Sequence, residues 1–251
     1  MKSLIPARVA ALAALVAITT SACADSMGGG FDYECPESPL LQVSLLDISA
    51  SGRSETVLTE RLNAIQVDAE RVADCDGELV VASWAGPSSS SDILFTGTIP
   101  VAGATEIGKD RKIPEAVEKV MEELRANLQV SLGRLSPDNS DLIGGFYLLS
   151  DLVTGKGAGK SVTAHLFTDG ISTSGAVIMN DAMLDQAAVD RLVSEQTVPG
   201  LQGVEVRLYG IGRVAVDIQP PQDFIQLVQN YSAAICSKTG ALCSVFTTVV
   251  S

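Results

Sequence analysis

The 251-residue sequence is poor in residues that serve acid–base and nucleophilic catalysis. Its single histidine is His165, so a Ser-His-Asp triad would have to use it. His165 lies in an apolar stretch, which is typical of a satisfied core or sheet residue. No two cysteines have the Cys-x-x-Cys spacing of a metal site or redox motif. We therefore predict no catalytic residues and expect that the chain is not an enzyme.

Basic residues are also scarce, with 17 Lys and Arg against 30 Asp and Glu, which gives a formal net charge of −13. A surface this acidic repels nucleic acid and anionic lipid headgroups. We therefore expect no nucleic-acid partner, and membrane contact only through a lipid anchor. The charge could favour cations or basic ligands, although solubility alone would account for it.

The N-terminus lacks an apolar run long enough to span a bilayer. Lys2 and Arg8 precede the run Val9–Ile18, which is the layout of a secretory signal. Ser21–Cys23 resembles a lipobox, although Thr20 stands where an aliphatic residue is usual. This pattern predicts cleavage before Cys23 and attachment of lipid to its thiol. The alternative is an ordinary cleaved signal that leaves Cys23 in the mature chain.

The rest of the chain shows one boundary, near Leu40. We predict a signal peptide over 1–22, a flexible tether over 23–39 that is rich in glycine and acids, and a single domain over 40–251. The predicted location is extracytoplasmic, with anchoring to the cell membrane through Cys23.

Apolar strands and amphipathic helices alternate through this domain. The short polar turn between the second and third strands indicates that they are antiparallel neighbours. The alternation predicts an α/β, doubly wound, mostly parallel central sheet with helices on both faces and one antiparallel edge strand. Strands are predicted at Leu40–Leu46, Leu79–Trp84, Ile93–Thr96, Val162–Phe167, Val204–Leu208 and Val245–Val250. Helices are predicted along Leu58–Val72, from Pro114 onward, over about Ser140–Val153, along Leu184–Leu192 and along Phe224–Ile235.

Oxygen-bearing side chains cluster where these elements meet, at the sheet edge where ligands of such folds bind. Asp47, Ser49 and Ser51 follow the first strand, and alternate side chains of an extended segment point the same way. Ser140 precedes a buried helix, and Asp169 follows the fourth strand. Carboxylates and hydroxyls without His or Cys suit a hard cation, with Mg²⁺ or Mn²⁺ expected first and Ca²⁺ also fitting.

These motifs resemble those of the von Willebrand factor A domain family, in the same order, over about Leu40 to Ile235. The first resembles the family's Asp-x-Ser-x-Ser signature, which also closes the first strand there. The other resemblances are Ser140–Gly144 to Thr-Asp-Ile-x-Gly, Thr168–Gly170 to Thr-Asp-Gly, and Gly210–Gly212 to the glycine pattern after the next strand.

The resemblance implies a metal site used for binding. Ser49, Ser51 and Ser140 would donate hydroxyl oxygens to a divalent cation, and Asp47 and Asp169 would hold it directly or through water. The family leaves one coordination position for an acidic group of a protein or peptide ligand. Ser140 departs from the family's Thr and loses the methyl that restricts the rotamer, which bears on affinity.

Two other functions remain open from the sequence. One is a metal-free structural lipoprotein with a degenerate domain of this family. The other is a metal-dependent hydrolase with Asp47 as nucleophile or Asp169 as base, although Asp47 lacks the neighbouring second carboxylate usual for phosphoryl-transfer aspartates.

Four cysteines remain once Cys23 is assigned to lipid, an even number suited to disulfides in an oxidising compartment. Spacing alone leaves three pairings open. In the expected fold, Cys35 and Cys75 both lie opposite the metal edge, while Cys236 and Cys243 flank a short turn. We therefore predict Cys35–Cys75 and Cys236–Cys243; the competing pairing joins the tether to the C-terminal segment.

Overall fold

The computed structural model describes residues 33–103, 105–175, 178–179, 185–213 and 220–249. The predicted signal peptide, the predicted lipid attachment at Cys23 and most of the predicted tether lie outside these residues. The single-domain boundary therefore stays a prediction.

A six-stranded sheet forms the centre of the described chain, in the order β3-β2-β1-β4-β5-β6. All neighbouring strands are parallel except β2 and β3, which are antiparallel. Every residue of the central strand β1 is buried, as expected for a parallel strand covered on both faces. This confirms the predicted fold class. The strands are β1 (Leu40–Asp47), β2 (Glu78–Trp84), β3 (Ser91–Thr98), β4 (Ser161–Phe167), β5 (Glu205–Tyr209) and β6 (Leu242–Phe246).

Local chemistry marks the starts of two of the long helices. Ser54 caps the first one, since its side chain accepts a hydrogen bond from the backbone N–H of Val57. Pro114 lies in the first turn of the third, where a missing N–H costs nothing. The helices are α1 (Glu55–Asp74), α2 (Glu106–Asp110), α3 (Ile113–Arg134), α4 (Leu142–Lys156), α5 (Gln186–Glu195) and α6 (Gln222–Lys238), with a 3-10 helix at Ala50–Arg53. The sequence pattern did not predict the short helix α2.

Two apolar layers hold the helices on the sheet. Helices α1 and α3 cover β1, β2 and β3 on one face, around Ile65, Val81 and Leu124. Helices α4, α5 and α6 cover the other face, around Phe146 and Tyr231. None of the described helices is both long and apolar enough to cross a membrane.

The last strand corrects a predicted boundary. The apolar run predicted a strand over Val245–Val250, whereas β6 begins at Leu242 and ends at Phe246. Its register is set by pairing with β5, in which Glu205 lies opposite Leu242 and Tyr209 opposite Phe246. Residues 247–249 therefore follow the strand without continuing it, and Val250 lies outside the described residues.

Both predicted disulfides are present. The Cα atoms of Cys35 and Cys75 are 5.4 Å apart, and those of Cys236 and Cys243 are 6.1 Å apart. Cys35 fixes the segment before β1 to the end of α1, and Cys243 fixes β6 to the end of α6. Disulfides of this kind indicate an oxidising, extracytoplasmic compartment.

Candidate functional site

The predicted site lies at the switch point of the sheet. The chain runs outward from β1 to β3 and then returns to β4 on the other side of β1. The crevice between the carboxyl ends of two such strands is where open α/β sheets bind ligands. Asp47 is the last residue of β1, and Thr168 and Asp169 directly follow β4.

Asp47 is the centre of the hydrogen bonds at this crevice, and its side chain is buried. Its Oδ1 accepts the backbone N–H of Ser49 at 2.9 Å. Its Oδ2 accepts the hydroxyl of Ser140 at 2.9 Å and that of Thr168 at 2.8 Å. One carboxylate therefore gathers groups from the segment after β1, from the residues before α4 and from the residue after β4.

Asp169 is the second buried carboxylate of the crevice. Burial and the nearby Asp47 raise the pKa of Asp169 to about 6, although hydrogen bonds from the Ser51 hydroxyl and the Ile171 N–H and the charge of Arg61 lower it. Removal from water and a like charge both disfavour the ionised form. Two carboxylates held together in this way leave negative charge that a cation would stabilise.

Ser49 has a hydroxyl without a partner. The residue is 4% exposed, and its Oγ has no hydrogen-bond partner among the described residues. A buried polar atom left unpaired costs about 1–3 kcal/mol, so such atoms usually have a water, ion or ligand as partner. The carboxylate of Asp47 accepts the backbone N–H of the same residue, Ser49, and so fixes the backbone that carries this hydroxyl.

Ser140 is fixed by a loop after β4. The backbone N–H groups of Thr173 and Ser174 donate to the Ser140 carbonyl at 2.8 and 3.0 Å. The Ser140 N–H in turn donates to the Thr173 hydroxyl at 2.9 Å. These bonds fix the backbone of Ser140 and so help to hold its side chain toward Asp47.

A buried arginine, which the sequence analysis missed, lies beside the two carboxylates. Arg61 is 4% exposed, and its Nη1 donates to the backbone carbonyl of Asp47 at 2.5 Å. Burial lowers the pKa of Arg61, while Asp47 and Asp169 offset this effect. Gly52 permits the contact, because a Cβ there would lie 2.2 Å from the Asp47 carbonyl oxygen and 2.8 Å from Arg61 Nη1.

We call Asp47, Ser49, Ser51, Ser140, Thr168, Asp169 and Arg61 the rim cluster. The structure brings all five sequence-predicted metal ligands into it: Asp47 bonds Ser49 and Ser140, and Asp169 bonds Ser51. Within the described residues, no third carboxylate, His or Cys joins Asp47 and Asp169. Further ligands for a cation from the described residues would therefore be hydroxyl or backbone carbonyl oxygens, with water in the remaining positions.

A second polar cluster includes Asp68, which lies on the same buried face of α1 as Arg61 of the rim cluster. Asp68 accepts the hydroxyl of Ser44 at 2.6 Å, and His165 Nδ1 lies 2.9 Å from its Oδ1. We call Ser44, Asp68 and His165 the sheet-face cluster. His165 is buried, as predicted, but its Nε2 has no partner among the described residues. Its partner Asp68 is 97 residues away in sequence and was not predicted.

Comparisons with known proteins give similarity in fold. No protein-family model matches the chain. No curated protein matches it in sequence either.

Solved structures are similar at low sequence identity. The pilus adhesin SpaC of Lactobacillus rhamnosus GG is 11% identical, with a TM-score of 0.44, over 86% of this chain and 29% of the adhesin. The conserved hypothetical protein BatB of Bacteroides thetaiotaomicron is 14% identical, with a TM-score of 0.38, over 84% of this chain and 90% of that one. Proximal thread matrix protein 1 of the mussel byssus is 16% identical, with a TM-score of 0.46, over 85% of this chain and 45% of that protein.

The chain thus spans less than a third of the length of the pilus adhesin. Because the identities are low and the TM-scores lie below 0.5, we transfer no residue role, ligand or activity from these proteins.

Proposed function

We propose that this chain is an extracytoplasmic binding module of the von Willebrand factor A type, which holds a divalent cation in the rim cluster and captures an acidic group of a protein or peptide ligand. The observation that carries the proposal is the pair of buried carboxylates of Asp47 and Asp169, next in the chain to a buried Ser49 hydroxyl that has no hydrogen-bond partner among the described residues. A cation at this position would give that hydroxyl a partner and would separate the two acids electrostatically.

The donor set fits a hard cation. Asp47, Ser49 and Ser140 would hold it from β1 and the start of α4, and Ser51 and Asp169 would complete the set directly or through water. Oxygen ligands without nitrogen or sulfur suit Mg²⁺, Mn²⁺ or Ca²⁺. When bound, the cation would supply a Lewis-acidic position for a carboxylate of the ligand.

The local charge supports an acidic ligand. A divalent cation together with Arg61 would set three positive charges against the carboxylates of Asp47 and Asp169. The crevice would then carry an excess positive charge within a chain whose formal net charge is −13. An acidic side chain of a ligand would neutralise that excess, and the surrounding negative surface would disfavour acidic proteins that cannot reach the crevice.

Membrane attachment through Cys23 is part of this proposal. The lipobox-like Ser21–Cys23 would place the module on the outer side of a membrane, with residues 23–39 as the spacer. Mass spectrometry of the purified chain tests this directly, since diacylglyceryl addition to Cys23 changes the mass of the N-terminal peptide and Cys23→Ser removes that change.

The metal site is tested by thermal unfolding of the chain in chelator and in Mg²⁺ or Mn²⁺. At a metal concentration about 100 times Kd, binding to the native state adds about 2.7 kcal/mol, or about 5–10 °C in Tm for a chain of this size. Asp47→Asn should remove this increase. Asp68→Asn is the matched control, because it changes a buried carboxylate of α1 that lies outside the rim cluster.

A second candidate is a metal-free structural lipoprotein, which the buried Arg61 favours. The guanidinium already offsets part of the charge of Asp47 and Asp169. Under this alternative, millimolar Mg²⁺ or Mn²⁺ leaves the Tm of the wild-type chain unchanged, and Asp47→Asn and Asp68→Asn respond identically to metal.

A further inference from the structure

The two edges of the sheet differ in how they are protected. β6 has β5 on one side and, among the described residues, no strand on the other. The Leu242 N–H donates to Val204, and the Phe246 carbonyl accepts from Gly210, so these groups point toward β5. Because alternate residues of a strand direct their backbone groups to opposite sides, Val245 turns its N–H and C=O outward. Such free groups form a template for another strand.

β6 also lacks the devices that usually block an edge. Residues 239–249 contain no charged side chain and no proline. The opposite edge strand, β3, has both a charge and an irregularity: Asp92 pairs with Arg134, and the register shifts opposite Val81. Charges and bulges prevent edge-to-edge pairing, so β3 is blocked, whereas nothing in the described part of the chain blocks β6.

The helix beside β6 extends the same uncharged surface. Between Asp223 and Lys238, α6 has no charged residue. The Lys238 side chain is directed toward α5 and away from β6, because its ammonium donates to carbonyls at the end of α5. A groove of 360 Å³ runs between the two elements. Its lining residues are Gln229, Asn230, Ala233, Val245, Phe246, Thr247 and Thr248.

The polar groups of this groove are self-complementary. Gln229, Thr247 and Thr248 each offer both a donor and an acceptor, so each can bond an identical side chain, whereas the Asn230 amide already bonds Gln186 and Gln226. A charged residue cannot, because it would meet its own charge across a two-fold axis. Because the formal net charge of −13 makes two copies repel each other over the rest of their surfaces, the uncharged surface of β6 and α6 is where a second copy can approach. A second copy of this chain is therefore the partner that the surface fits best.

We propose that β6 and α6 form a self-association surface, at which two copies pair through their β6 strands in antiparallel orientation. The two-fold axis runs perpendicular to the sheet, so both α6 helices lie side by side on the same face and the sheets join into one of twelve strands. The rim cluster lies between β1 and β4, away from β6, and stays open in the dimer. This inference therefore stands independently of metal binding.

Sedimentation equilibrium of the full chain tests the pairing. The wild type should form a reversible dimer that strengthens with added salt, because salt screens the repulsion between acidic copies. Ser244→Lys brings two like charges together beside the axis without touching the core, since Ser244 is exposed. It should weaken dimerisation by at least about 10-fold.

The matched control is Ile93→Lys, which adds the same charge at an exposed position of β3. It should leave dimerisation unchanged, and association through a lipid anchor would respond equally to both variants. Circular dichroism verifies that each variant folds; if Ser244→Lys does not, Thr247→Lys replaces it. A wild-type monomer at all concentrations overturns the proposal, as does a dimer that Ile93→Lys weakens as much as Ser244→Lys.

Discussion

The rim cluster and the sheet-face cluster lie on one helix face, yet they balance charge differently. Arg61 and Asp68 are seven positions apart on α1, about two turns, and both point into the core. In the rim cluster, two carboxylates face a single buried guanidinium. In the sheet-face cluster, one carboxylate receives two donors, Ser44 and His165.

The difference follows from position along the strands. The rim cluster lies where β1 and β4 end, so loops and helix starts bring hydroxyls to it from several segments. The sheet-face cluster lies in mid-strand, where Ser44 and His165 are direct neighbours in the β1–β4 register. A strand end can therefore collect groups from several segments around a ligand, whereas the mid-strand cluster draws on its sheet neighbours and α1 and leaves His165 Nε2 without a partner among the described residues.

Replacing Arg61 should produce the largest loss of stability, and one that acts on the rim cluster alone. Arg61→Met leaves Asp47 and Asp169 without their buried cation, which should cost about 3–5 kcal/mol of unfolding free energy in chelator. In saturating Mg²⁺ the loss should be smaller, because the metal replaces the missing charge. Urea unfolding in both conditions measures the difference, and an equal loss with and without metal contradicts it.

Removing the disulfide between Cys35 and Cys75 should affect both clusters together, because the closed loop contains Ser44 and Asp68 as well as Asp47. The double serine variant should lose about 3–4 kcal/mol on the chain-entropy model. Its Tm increase on adding metal should remain, since the native site is unchanged. A variant that keeps its wild-type stability in urea would show that this loop is already ordered in the unfolded chain.

Ser44→Ala changes the sheet-face cluster alone. It removes one hydrogen bond to a buried carboxylate, which should cost about 1.5–3 kcal/mol. Because Ser44 lies outside the rim cluster, the loss should be the same in chelator and in Mg²⁺. A metal-dependent loss would mean that the two clusters are coupled through α1.

Ser140→Thr should have the smallest effect. The hydroxyl that donates to Asp47 is kept, and the added methyl restricts its rotamer. Metal affinity, measured by calorimetry, should hold or rise modestly. A large loss of affinity would place the cation away from Ser140.

The sequence predicted the rim cluster better than the sheet-face cluster for a physical reason. Strand ends are marked locally by motifs such as Asp47-x-Ser49-x-Ser51, and parallel strands bring their ends to one edge. The pairing of His165 with Asp68 depends on the packing of α1 across the sheet, which no local pattern encodes. The sequence did hold a signal for these residues. Arg61 and Asp68 lie beside the apolar stripe of α1, on the side of the helix that packs on the sheet, and a charged residue is rarely buried unless it has a partner.

The fold class and the disulfides could be predicted from the order of strands and helices. The residues at which these elements begin and end were predicted less accurately. The last strand was placed at Val245–Val250 because the apolar pattern continues there, whereas pairing with β5 fixes β6 at Leu242–Phe246. Among the residues that the structure describes, the same pairing leaves β6 as an open edge, a property that depends on strand order and could not be predicted from local patterns.

The most direct test of cation binding in the rim cluster uses the single tryptophan. Trp84 is buried and lies opposite Asp47 in the β1–β2 register, so a paramagnetic ion bound at Asp47 would quench its fluorescence. We predict saturable quenching by Mn²⁺ that excess Mg²⁺ reverses, that Asp47→Asn removes and that Asp68→Asn retains. Absence of saturable quenching at millimolar Mn²⁺, or equal quenching in Asp47→Asn, would contradict a cation in the rim cluster.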